Sequence, residues 1–598
     1  MAKKAAVRLF LFLLANEHIF MRSTLFYALL FLTVFITSCE EAYETSGKSE
    51  RARIAITSDP DAIHPVLYRT INAQSINDLV FQKLMQTDPA THEPVPVLAS
   101  ALPTIAPYHD SLIRITYDIK SNAAWTDETP VTAEDVVFTF KATVMPGVRA
   151  EGKRDFLRGI QSIYADSTNE KRVHFVCEHN LRTTYATGAE LGILPAHLYD
   201  TEGLIKDISF SEIIRHTGNE ELPENWQLFA ETFNHSRFSR DPDYVQGSGP
   251  YQLTNWTSGQ SLLLTRKENW WGKKTEKTLC YFQNYPLEIK YFIIAEPTAI
   301  IKAAKNDQID VGPILRSQDY YDLQDNPIFL KSFKLASTPE LSTNIILMNG
   351  CKPILADVKV RKALAHLFDV QTYINVVQKG SGTQVTGPLH NSKPGYHGGI
   401  EPYPFDAQIA AQMLEEAGWT DSDGDGIRDK VIDGVKTDLV LEYLYHTGHE
   451  GRRNAGMMLQ DWARAAGVRI EVRNDEWLVF IERLMAGDFD LAFFSWTDEH
   501  APTDPTPVYH SSAIENGYNF NCYSSPVADS LIEAIANAQN QKQYEENWRE
   551  LQVALHNDVP NIFLSTNQSR IFVSRRFSGF APMTIPPGYF AGSLKPAQ

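Results

Sequence analysis

Cysteine is scarce in this chain, with five in 598 residues. No two stand in a Cys-x-x-Cys spacing, which argues against a zinc ribbon or a thioredoxin-like redox motif. Cys177, Cys280, Cys351 and Cys522 are scattered, so up to two disulfides or buried free thiols fit the sequence equally. Positive charge is short as well. Lys and Arg number 55 against 73 Asp and Glu, a net charge of −18. A phosphate backbone is gripped by clustered cations, so nucleic acid is excluded as a partner. Beyond residue 50 no apolar run approaches the roughly 20 residues of a membrane-spanning helix. Gly-x-Ser-x-Gly, His-Glu-x-x-His and histidines clustered at metal spacing are also missing. A hydrolase would therefore have to rest on a triad scattered through the chain, and the chain is read as no enzyme.

The N-terminus carries the first positive signal. From Met21 the chain reads Met-Arg-Ser-Thr, then an apolar run from Leu25 to Ile36, then Thr37, Ser38 and Cys39. A charged start, an apolar stretch too short to span a bilayer and small residues before a cleavage point make a secretory signal peptide. Ile36-Thr-Ser-Cys39 resembles the lipobox of bacterial lipoproteins, in which Cys39 becomes the lipidated first residue. Residues 1–38 are thus read as signal peptide, with the true start at Met21, and 39–50 as a lipidated tether without apolar periodicity. Ala42–Ser49 imitates a phosphate-binding loop, but no strand feeds it and no helix follows, so it is read as chance.

Length gives a loose prior of about four domains. Ile54–Thr57 and Ser111–Ile119 read as strands, and Ile76–Met85 has near-helical apolar spacing. Thr132, with Asp135 three residues on, caps a helix whose buried stripe is Val137, Phe140 and Val144. Asp357 and Asp406 cap further helices, and Gly418 stops the second. Asp488–Phe494 reads as a buried strand and Trp548–Leu555 as part of a late helix. Strands and helices interleave without a fixed period, which excludes a solenoid and gives an α/β or α+β class with several subdomains.

Several segments, in order, resemble the bacterial extracytoplasmic solute-binding proteins of family 5, the oligopeptide- and dipeptide-binding type. They are Trp125-Thr-Asp-Glu-Thr-Pro-Val-Thr-Ala-Glu-Asp-Val, Ile193-Leu-Pro-Ala-His, and Gly249-Pro-Tyr with Trp256, Arg266 and Trp270-Trp271. Asn344, Val360-Arg361-Lys-Ala-Leu-Ala, Asp369, Asp406–Trp419 and Tyr523-Ser-Ser-Pro-Val-Ala-Asp follow. The resemblance implies a two-lobed periplasmic-binding-protein fold of type II, α/β, with an extra subdomain on the first lobe. It places lobe I at 51–318 with the subdomain at about 96–190, lobe II at 319–560, and a return to lobe I at 561–598. It also implies a monomer, lipid-anchored on the periplasmic side of the cell envelope. Such a protein would hold a peptide or other small solute in the interlobe cleft and deliver it to an ABC permease with its ATPase subunits. The same fold with a nickel chelate, a sugar or haem is the alternative.

Family members that take peptides carry an acidic residue shortly after a Trp that follows a D-F-D-L strand, and it meets the ligand's ammonium. Here Trp496 is followed by Asp498 and Glu499, with extra residues before Asp504-Pro505, so both acids are candidates. Trp496 either stacks on the ligand or fills the cleft floor. Asn519 matches a family Asn near the cleft, and Tyr68 is placed there by its position after the first strand. Separately, Asp421, Asp423, Asp425 and Asp429, with Gly426 for the turn, repeat the first half of an EF-hand-like loop. Ile432 stands where the usual Glu would be, and the alternative is a plain acidic hairpin. The expectation is a structural Ca²⁺ away from the ligand, with no required cofactor.

Overall fold

A computed structural model describes residues 50–598, apart from positions 90, 110, 217–220, 276–277, 448–449, 499–500 and 598. The expected signal peptide, Cys39 and Glu499 lie outside the described residues. Among those described, ten strands share one hydrogen-bonded sheet. Two of them are unusually long: Phe333–Met348 and Asn561–Ser574. They run antiparallel, Phe333–Pro339 against Ser574–Gln568 and Thr343–Leu347 against Thr566–Asn561, with the ladder broken between Pro339 and Thr343 and a further register shift between Asn344 and Ile345. Proline cannot donate to a ladder, and a break of this kind bends the strand that carries it.

The break divides the sheet into two halves. On one side lie Val311–Pro313, Arg51–Ile56, Glu288–Ile293, Ser261–Arg266 and Tyr251–Thr257; on the other lie Leu491–Thr497, Val440–His446 and Arg469–Asp475. Each half has its own apolar core. Ile54, Tyr251, Phe282 and Ile571 belong to the first, and Ile346, Leu441, Tyr443 and Ile562 to the second. The architecture is a two-lobed α/β fold whose lobes are joined through the sheet by two crossing strands. A four-stranded sheet (Thr104–Tyr108, Leu112–Asp118, Arg172–Glu178, Ile160–Ala165) forms a separate cluster with the helix Ala133–Val144. Residues 319–332, which the resemblance assigns to lobe II, instead pack with lobe I: Leu323 and Phe329 share a core with Ala55 and Phe572. The chain crosses within the long strand itself.

The motif residues explain themselves as scaffold. Asp135 accepts hydrogen bonds from the Thr132 N–H at 2.8 Å, the Trp125 indole at 3.3 Å and the Ala196 N–H at 2.9 Å, tying two motifs together. Gly249 donates to the Val80 carbonyl at 2.8 Å, and a Cβ there would lie 2.4 Å from the Leu79 carbonyl oxygen. Only glycine permits that approach. Trp270 and Trp271 both donate to the Ser248 carbonyl. The helix expected over Ile76–Met85 spans Ile71–Val80 instead, since Phe81 is already extended and Met85–Thr87 is a strand. One disulfide, Cys351–Cys522, joins segments 171 residues apart, while Cys177 and Cys280 are free.

Candidate ligand-binding cavity

Where the strands cross, the fold leaves a cavity of about 730 Å³, inside the usual range for small-molecule sites. Its lining draws on both lobes. Tyr68, Asp78, Lys83, Lys153 and Glu190 come from the first, Glu340, Ser342 and Ser569 from the crossing strands, and Thr497 and Asp498 from the second. The Met583–Tyr589 segment near the C-terminus closes another side.

Local structure puts the first-lobe groups in place. Asp61 accepts from the Arg69 N–H at 2.7 Å and the Thr70 hydroxyl at 2.6 Å, which fixes the loop carrying Tyr68. Thr70 then caps the helix that carries Asp78 in its last turn. Lys83 lies just beyond, in a bridge with Gly192, and Glu190 follows the helix Leu181–Ala189. The Lys153 ammonium is 2.7 Å from Glu190 and 3.0 Å from the Tyr68 hydroxyl, and it sits 4.5 Å from the Tyr68 ring centre. Burial pushes the Glu190 carboxyl up, but Lys153 and Lys83 outweigh it and leave it below its ordinary range. Asp78 goes the other way, because burial there exceeds the attraction of Lys83. Lys83 is held above its usual value, since Asp78, Tyr68 and Glu190 together overcome its burial. Glu340 is raised by burial, against the opposing pull of Arg570 and a hydrogen bond from Ser342.

The residues expected at the site separate into three groups. Tyr68 and Asp498 line the cavity. Trp496 does not: its ring lies 4.9 Å from Phe494 and is stacked with Phe520 at 6.5 Å, in an aromatic cluster of the second lobe. Asn519 is buried and organises its own loop, donating to the His510 and Tyr523 carbonyls and accepting from the Tyr523 N–H. Asp498 is already paired. Lys393 Nζ lies 3.3 Å from it and the Thr503 hydroxyl donates to it at 2.7 Å. Lys83, Lys153, Glu190 and Glu340 carry no signal in the sequence that singles them out; each is an isolated charge with no motif around it.

Of the acidic loop, Asp421, Asp423 and Asp429 bring carboxylate oxygens within 4.8 Å of one another, and Asp425 is not part of that group. Lys436 donates to Asp423 at 2.5 Å and lies 3.4 Å from Asp429. Three converging hard-oxygen donors suit Ca²⁺, and the half-exposed Lys436 ammonium is the group such an ion would displace.

The description of bacterial extracellular solute-binding proteins, family 5 Middle, matches residues 93–519. The chain belongs to this family. Among its relatives, the oligopeptide-binding protein AppA of Bacillus subtilis is 22% identical over 574 residues, covering 92% of this chain and 94% of AppA. The structure of AppA in complex with a nonapeptide superposes with a TM-score of 0.65 at 21% identity, over 92% of this chain and 99% of that one. The ABC transporter substrate binding protein CtaP of Listeria monocytogenes gives 0.72 at 17% identity, over 92% and 100%. NikZ of Campylobacter jejuni, in complex with Ni(L-His), gives 0.65 at 20% identity, over 89% and 95%. At these identities the structural likenesses establish the two-lobed family 5 fold.

Proposed function

We propose that this chain is the extracytoplasmic solute-binding component of an ABC importer, and that it holds a short peptide in the cavity between its lobes. The observation that carries the reading is the cavity itself. It is of small-molecule size, formed where two lobes meet, and lined by charges of both signs as a zwitterion with a polar backbone requires. AppA, named for oligopeptide binding, supports the choice of peptide. Closure about the crossing strands follows from differential affinity of ligand for the closed form. The closed protein then hands its ligand to a permease whose ATPase partners supply the energy; it performs no chemistry of its own. The N-terminal sequence supports export, with Cys39 as a lipid anchor holding a monomer at the envelope surface. A structural Ca²⁺ held by Asp421, Asp423 and Asp429 belongs to the same reading.

A nickel chelate, a sugar or haem on this fold is the alternative. The described lining residues include no histidine or cysteine to complete a metal's coordination shell. Native mass spectrometry of the exported protein, purified without denaturation, tests the reading. A series of adduct masses that fragment as peptides is expected, and a single nickel, haem or sugar adduct would replace peptide with that solute.

A further inference from the structure

Tyrosines are prominent in the first-lobe wall of the cavity, and they are not alike. The Tyr68 hydroxyl accepts from Lys153 at 3.0 Å, Tyr185 lies 3.0 Å from the Thr87 hydroxyl, and Tyr281 donates to the Thr87 carbonyl at 2.7 Å. Tyr291 and Tyr589 differ. They are only 3% and 8% exposed, yet neither hydroxyl has a hydrogen-bond partner among the described residues. Buried polar groups are nearly always bonded, so two such hydroxyls side by side call for a partner from outside the chain.

Both also line a small recess that adjoins the main cavity. It has about 20 Å³ of room, enough for one water-sized group, and Ser75, Asp78, Tyr281 and Pro587 complete much of its wall. The fold holds these groups in place. Tyr291 sits in the strand Glu288–Ile293, between Ile54 and Leu262 of its neighbours. Ser75 and Asp78 are three residues apart on the helix Ile71–Val80 and so share a face. The loop before Tyr589 is closed by hydrogen bonds from Met583 N–H to the Gly588 carbonyl and from Gly588 N–H to the Ile585 carbonyl. Asp78 forms no ion pair with any described residue. Lys83 attracts it through space but lines only the main cavity, and burial still pushes the Asp78 carboxyl up.

A carboxylate, two idle hydroxyls and aromatic rings around room for one small group select among ligand heads. A carboxylate would be repelled, and an apolar head would leave all three polar groups unbonded. A planar guanidinium is too large. An ammonium is water-sized, donates three hydrogen bonds and is attracted by aromatic faces. We infer that the recess takes the ammonium of a lysine-like side chain, with the Asp78 carboxylate as its counter-ion and the Tyr291 and Tyr589 hydroxyls as its other acceptors. The inference rests on the peptide reading above and adds a side-chain preference to it; the ligand's two ends are not involved.

The test uses the mature chain, stripped of carried-over ligand by unfolding and refolding. It is titrated with alanine tripeptides carrying lysine at the first, second or third position, all with free ends. Norleucine, Nε-acetyl-lysine and arginine replace the lysine in matched sets. At one position lysine is expected to bind about tenfold or more tighter than norleucine or acetyl-lysine, the scale of one charge-assisted hydrogen bond. Arginine should gain nothing over norleucine. The lysine-to-norleucine ratio should fall to about one in Asp78→Asn, and about threefold or more in the double variant Tyr291→Phe with Tyr589→Phe, which keeps both rings. A ratio is read because general damage to the fold weakens both peptides together. A wild-type ratio of about one at every position, arginine bound as tightly as lysine, or a lysine preference that survives Asp78→Asn overturns the inference, while the peptide reading stands. A wild type that binds neither these peptides nor a mixed-sequence tripeptide pool overturns both.

Discussion

Lys393 Nζ lies 3.3 Å from the Asp498 carboxylate, with both side chains withdrawn from solvent, 7% and 13% exposed. The ammonium also donates to the Ala501 carbonyl and the Thr503 hydroxyl, each at 2.8 Å. Removing one partner of such a pair strands the other. Lys393→Met is expected to destabilise the protein by about 3–5 kcal/mol in urea unfolding, and the double change Lys393→Met with Asp498→Leu to recover most of that. A single variant as stable as the wild type would mean the pair is solvated in solution.

A second set of contacts joins the lobes. Leu181 N–H donates to the Ala538 carbonyl at 2.8 Å, and Arg182 lies 2.9 Å from Asp504. The helix comes from the first lobe and both acceptors from the second. A partly exposed pair of this kind is worth about 0.2–1 kcal/mol, which here favours the closed form. Arg182→Ala should therefore weaken ligand binding by up to about fivefold, through a faster off-rate. Unchanged dissociation kinetics would show that the contact does not report closure.

Trp125, Asp135, Gly249, Trp270 and Arg361 are legible because each makes a fixed bond or close backbone approach within the scaffold; Arg361, for instance, donates to the Asp558, Val559, Leu355 and Ala356 carbonyls. Such positions occur in runs and give motifs. Cavity residues are single side chains from a dozen segments, and nothing local distinguishes Glu340 from any other strand glutamate. Thr497 and Asp498 line the cavity, whereas alternation along the strand turns Trp496 into the aromatic cluster. The partner of Asp498 is 105 residues away, beyond what a local pattern can show. The lobe boundary moved for a similar reason, since Leu323 and Phe329 are assigned by what they pack against.

His64 supplies a pH dependence. It is fully buried, its Nδ1 accepts from the Val66 N–H at 3.2 Å, and its ring meets Phe233 and Tyr199 edge-on. Burial lowers its pKa from 6.5 to about 3. The unfolded chain takes up a proton below pH 6.5 that the folded one refuses until about pH 3, so stability falls across that window as pH drops. His64→Asn keeps an acceptor for the Val66 N–H but cannot titrate. It should be less stable at pH 8, through lost ring packing, yet lose about 1.4 kcal/mol less per pH unit between pH 6 and 4. Parallel acid limbs for variant and wild type would contradict the assignment.

The acidic loop gives a metal prediction. Calcium at 100 times its dissociation constant should add about 2.7 kcal/mol to stability over the protein in chelator, and Asp421→Asn should abolish the gain. A melting temperature indifferent to Ca²⁺ would leave Lys436 as the only counter-ion of Asp423 and Asp429 among the described residues.

The central claim is that the cavity takes a peptide, and calorimetric unfolding of the stripped mature chain tests it most directly. With the mixed tripeptide pool at saturation, melting is predicted to rise by about 2–4 °C or more, corresponding to about 2.7 kcal/mol at 100 times Kd. No rise with peptides, alongside a clear rise with nickel–histidine, haem or a sugar, would contradict the account and assign the cavity to that solute.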